Sequence, residues 1–100
     1  MNRDEIERAE HWDPKAGDTI TGEVVRLPEP SVYRGRNLVL RTTEGVVLVA
    51  ASPSEGGTVI ANALSRLDPV IGDVMAITFD GWRAATTSGR RYRMFEVEVR

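Results

Sequence analysis

One hundred residues allow one compact domain with a single core. A hydrophobic fraction of 41%, a charged fraction of 28% and a formal charge of -2 mark a folded chain that is not uniformly basic. The absence of cysteine excludes disulfides, thiolate metal sites and a Cys nucleophile. No apolar run reaches the roughly 18 residues of a membrane span, and MNRDEIERAEHW has no apolar leader, so the expected location is the cytoplasm, away from membranes.

Charge is segregated along the chain. Residues 1–25 carry seven acids against three bases and residues 51–80 four against one, whereas residues 26–50 carry four arginines against two acids and residues 81–100 five against two. A basic patch is therefore expected on an acidic protein of pI about 5.4.

In chain order, Asn2 to Trp12 suits a short helix, with Asn2 as N-cap, Asp4 and Glu5 in the first turn and Ile6 beside Ala9. Asp13-Pro14 ends it, and Trp12 is expected to cover an open end of the core. TITGEVVRL follows as a strand whose apolar residues change face, Ile20 and Val24 on one side and Val25 and Leu27 on the other, with Gly22 expected to permit the bulge this needs. Pro28 to Arg36 reads as a loop.

NLVLRTTEGVVLVAAS has the pattern of a hairpin turning at Thr43-Glu44-Gly45, and its second strand, Val46 to Ala51, is apolar on both faces and expected to be central. Ser52-Pro53-Ser54-Glu55 is a capping-box pattern, and Val59, Ile60, Ala63, Leu64 and Leu67 form a stripe at helical spacing. Gly56 and Gly57 favour a start nearer Thr58, and Asp68-Pro69 stops the helix. Two long strands close the chain: Met75, Ile77 and Phe79 alternate in one, Phe95, Val97 and Val99 in the other, with Thr87-Ser88-Gly89 as the turn between them.

Strand, strand, strand, helix, strand, strand, with a bent first strand, is the element order of the OB fold. The expected fold is thus all-β with one or two short helices: a five-stranded OB-fold Greek-key barrel over residues 16–100, its bottom plugged by the helix, with residues 1–13 as a helical N-terminal extension of the same single domain.

PKAGDTITGEVV, IGDVMAITFDGW and SGRRYRMFEVEV resemble small OB-fold, single-stranded-DNA-binding-like proteins of bacterial and phage origin. The likeness lies in a GD-x-I-x-G-x-V opening at Gly17 to Val24, a GD-x-x-x-I-x-x-x-G strand at Gly72 to Gly81 and a G-x-x-Y-x-x-F-x-V closing strand at Gly89 to Val97. It spans most of residues 14–99 and implies binding of single-stranded nucleic acid, DNA in preference to RNA.

OB folds bind such strands on the face of their second and third strands and on the loops joining strands one to two and four to five. Tyr33, Arg34 and Arg36 fall in the first of those loops, Arg41 on the second strand, and Trp82, Arg83, Arg90, Arg91, Tyr92 and Arg93 in or beside the second loop. The arginines would neutralise phosphates and the aromatics would stack on bases, each stack contributing about 1–3 kcal/mol. Taken singly, each arginine is also what an exposed strand edge needs to stay unpaired.

Enzyme chemistry has little support. His11 is the single histidine, Glu5, Glu7, Glu10 and Asp13 read as a solvated helix face, Gly56-Gly57 lacks a P-loop lysine, and Glu96 and Glu98 have no acid/base partner. No catalytic residue, metal or cofactor is expected. The alternative function is a protein-interaction or assembly module, docking on another protein or on a second copy through Val46 to Ala51.

Overall fold

The computed structural model describes residues 3–29, 37–52 and 57–100, the side chains of residues 3, 4 and 7 excepted. Its elements are α1 (Arg3–Arg8), β1 (Glu10–His11), β2 (Thr19–Arg26), β3 (Asn37–Thr42), β4 (Gly45–Ala50), α2 (Thr58–Leu67), β5 (Val74–Ala84) and β6 (Arg91–Val99). The protein is mostly β: one six-stranded sheet in the order β1-β4-β3-β2-β5-β6, with α2 against its inner face.

Alternation sets that inner face. Ile20 and Val24 from β2, Leu38 and Leu40 from β3, Val49 from β4, Met75, Ile77 and Phe79 from β5, and Phe95 from β6 form one cluster with Ile60 of α2. Each large side chain buried there contributes about 1.5–3 kcal/mol. Val59 and Leu64 pack against the same cluster and Ala63 is buried, so the expected helical stripe holds. Leu67 is the exception and is exposed, because the helix ends there: Asp68 takes a left-handed φ of 48° and donates its N–H to the Leu64 carbonyl. The helix begins at Thr58, with Gly57 as its N-cap and no side-chain capping bond; residues 53–55 of the expected capping box, and Gly56 after it, lie outside the described residues.

The described residues depart from several expectations. The N-terminal helix stops at Arg8 instead of reaching Trp12, and Glu10 and His11 pair in parallel with Val47 and Leu48. A two-residue parallel strand is specified by its distant partner and has no local signature. As a result β4 is not central: among the described residues its only neighbour beyond β3 is this short β1. The five main strands are also not shown as a closed barrel, since no ladder joins β4 to β6 among the described residues. Trp12 stands at that seam. Its N–H donates to the Leu48 carbonyl at 2.8 Å, and its ring centroid lies 6.0 Å from that of Phe95, which lies 5.1 Å from Phe79. The expected covering role of Trp12 is therefore seen. The Asn2 cap lies outside the described residues.

A further correction concerns β2. Its irregularity against β3 falls between Val24 and Arg26, not at Gly22. Gly22 is needed for close approach, since a Cβ there would lie 2.7 Å from the Arg41 carbonyl oxygen. The two ends of β2 serve different partners: Thr19 to Glu23 pair with β5, whereas Glu23, Val24 and Arg26 pair with β3.

Candidate nucleic-acid interface

β5 and β6 outrun the rest of the sheet. β2 pairs with β5 only as far as Thr78, and the backbone of Gly17 and Asp18 reaches Phe79. Beyond that point Gly81 to Ala84 and Arg91 to Met94 continue as a two-stranded ribbon. The loop expected to carry Arg83, Arg90 and Arg91 is shorter than the sequence suggests: the turn spans 86–88, and Trp82 and Arg83 belong to the strand. Ala85 donates its N–H to the Arg90 carbonyl and Gly89 donates to the Ala85 carbonyl, at 2.8 and 2.9 Å.

A bulge makes the ribbon possible. Phe79 faces Phe95 but Gly81 faces Met94, so Asp80 is the extra residue, and Gly81 has a φ of 91°, where side-chain-bearing residues are strained. The inserted residue reverses the side-chain parity of β5. Trp82, even-numbered like the outward-facing Thr78, therefore lies on the same face as Phe79. Its cross-strand partner is Arg93, and Ala84 faces Arg91.

Trp82, Arg91 and Arg93 thus share one face of the ribbon. The Arg91 guanidinium carbon sits 5.1 Å from the Trp82 ring centroid, and that of Arg93 sits 5.2 Å from both the Phe79 and Phe95 centroids. These cation–π contacts, about 0.5–1 kcal/mol each at exposed sites, hold the guanidinium groups beside the rings. Trp82 remains 52% exposed. Arg93 has a second job, covering the end of the core at the two phenylalanines.

Arg83 and Tyr92 oppose each other on the ribbon's other face. The Arg83 guanidinium donates to the Asp80 carbonyl at 3.1 Å, which ties it to the bulge. Arg90 stands exposed at the foot of the turn, its backbone N–H reaching the Ser88 hydroxyl at 3.3 Å. Residues 80–93 hold four arginines and one acid, Asp80, so the ribbon is strongly basic on a chain of net charge -2.

Arg41 is not part of this cluster. It lies opposite Glu23, which lies opposite Val74, eight residues before Trp82 along β5, about 26 Å at strand rise. Tyr33, Arg34 and Arg36 lie outside the described residues. Sequence reading missed the Asp80-Gly81 bulge; a lone glycine inside a strand pattern was the available signal. Among the described residues no three His, Asp or Glu side chains stand together as a metal site, and no helix is long and apolar enough to cross a membrane.

No family model, curated protein or solved structure matches the chain.

Proposed function

We propose that the protein binds single-stranded nucleic acid, DNA in preference to RNA and without catalysis, on the β5–β6 ribbon. The observation that carries this proposal is the exposed Trp82 with Arg91 over its ring and Arg93 beside it on one face. A base stacks on the open part of the indole, and the phosphates on either side meet guanidinium N–H groups already fixed in orientation. Arg90 and Tyr92 extend the contact toward the tip and the opposite face. Arg83, engaged at the Asp80 carbonyl, keeps the ribbon in shape.

The finer fold assignment belongs with this proposal. The ladders β2–β3, β3–β4, β2–β5 and β5–β6, with α2 between β4 and β5, follow OB-fold order. In this reading the third and fifth barrel strands are not paired directly: residues 10–12 line the β4 side of the gap and the Trp12 ring reaches Phe95.

The test is fluorescence anisotropy of a labelled oligo-dT of about 30 nucleotides, titrated at rising salt and against duplex competitor. Binding that weakens with salt and prefers single strands is expected. No binding at low salt overturns the proposal.

A second reading, docking on another protein, has one observation in its favour. Val70 and Ile71 are 60% and 65% exposed on a turn held by Val70 N–H to the Asp73 carboxylate and by Gly72 N–H to the Val24 carbonyl, at 2.9 Å each. Replacing both by serine should leave nucleic-acid binding intact if the ribbon is the site.

A further inference from the structure

β6 ends the sheet, and its hydrogen-bond parity defines what its free edge offers. Arg100 donates its N–H to the Val74 carbonyl and Ala85 donates to the Arg90 carbonyl, so even-numbered residues of β6 turn their backbone groups toward β5 on both sides of the bulge. The N–H and C=O groups of Arg91, Arg93, Phe95, Val97 and Val99 therefore point away from the sheet. Among the described residues no strand pairs with them. α2 lies beside β6, and a groove of about 580 Å³ is lined by its Val59, Ala63 and Arg66 together with Phe95, Val97 and Glu98.

The charge pattern along that edge names an occupant. Residues 90–98 read RRYRMFEVE, a basic half and an acidic half on either side of Met94. Antiparallel pairing of two such strands about Met94 sets Arg90 against Glu98 of the second copy, Tyr92 against its Glu96, and Arg93 against its Phe95. The backbone-bonded pairs in this register are 91 with 97 and 93 with 95, the residues whose groups point outward. Moving the register so that 93 meets 93 opposes like charges, and moving it so that 95 meets 95 removes every Arg–Glu pair.

We propose that the protein forms a two-fold dimer by antiparallel β6–β6 pairing about Met94, which joins two sheets through their free edges. The proposal stands independently of nucleic-acid binding. It also moves the self-association surface from β4, whose outer edge β1 occupies, to β6.

Cross-linking tests the register directly, because the chain has no cysteine of its own. In an antiparallel pair two residues directly opposite have Cβ atoms about 4.5–5.5 Å apart, within reach of a disulfide once the strands adjust. Met94→Cys should form a disulfide-linked dimer under mild oxidation, whereas Glu96→Cys, four residues from its copy in this register, should not. A monomeric mass for the unmodified protein at high concentration, or equal cross-linking at 94 and 96, overturns the proposal. A monomer would leave the edge charges with their simpler role of keeping β6 unpaired.

Charge reversal gives a second readout that does not touch the core. Arg90→Glu alone and Glu98→Arg alone each place like charges at both ends of the dimer and should raise its dissociation constant about tenfold. Equal amounts of the two variants mixed together restore both opposite-charge pairs, and the dimer should return. Glu98 now pairs with Arg100 at 2.7 Å on the exposed face, so it has only a surface ion pair to exchange. A dimer insensitive to both reversals would place the interface elsewhere and overturn the proposal.

Discussion

Gly22→Ala probes the tightest point of the sheet. A methyl group there would lie 2.7 Å from the Arg41 carbonyl oxygen, 3.1 Å from its carbonyl carbon and 3.1 Å from Leu40 Cβ. Even a close C–H···O contact keeps about 3.3 Å between carbon and oxygen, so roughly 0.6 Å must be found. The obstructing atoms are mostly β3 backbone, held by the pairing of Arg41 with Glu23 and Val46. They cannot swing aside as a side-chain tip would. Overpacking of this kind costs about 1–3 kcal/mol, offset by about 0.4–1 kcal/mol from a stiffer unfolded chain. A net loss of about 1–2 kcal/mol corresponds to a Tm lower by about 4–16 °C for a domain of this size. Circular dichroism melts and urea midpoints measure it. An unchanged or higher Tm would refute the close crossing of β2 over β3.

Gly81→Ala should cost about 1 kcal/mol at its φ of 91° and should speed amide exchange in residues 82–93 more than in β3, as read by hydrogen exchange. Phe95→Ala removes the ring shared by Trp12, Phe79 and Arg93; a loss of about 3–5 kcal/mol is expected in chemical denaturation, with the Trp12 emission shifted to the red. Trp82→Ala, at a half-exposed site, should change Tm little and weaken oligo-dT binding by about 5- to 150-fold, the range set by one lost base stack.

Sequence alone disclosed the elements whose information is local. The alternation of Met75, Ile77 and Phe79, and of Phe95 and Val97, places those residues in or against the core, as does the helical stripe of Val59, Ile60, Ala63 and Leu64. Features fixed by distant partners were not legible. Glu10 and His11 look like the tail of an acidic helix and become a strand only because β4 offers an edge. Gly22, read as a bulge, answers to the backbone of β3 lying beside it. The candidate site divides in the same way. That Trp82, Arg90, Arg91, Tyr92 and Arg93 gather in one region follows from their nearness in sequence. Which face each occupies depends on one extra residue at Asp80, and the separation of Arg41 from them depends on the β2–β3 and β2–β5 registers.

The proposed binding surface is tested most directly by Arg90→Glu combined with Arg91→Glu, measured as oligo-dT affinity at low salt beside the melting temperature. Both side chains are exposed, so folding should be nearly unaffected. Loss of binding with an unchanged Tm is the expected result. Wild-type affinity in the doubly reversed protein would contradict the assignment of nucleic-acid binding to the β5–β6 ribbon.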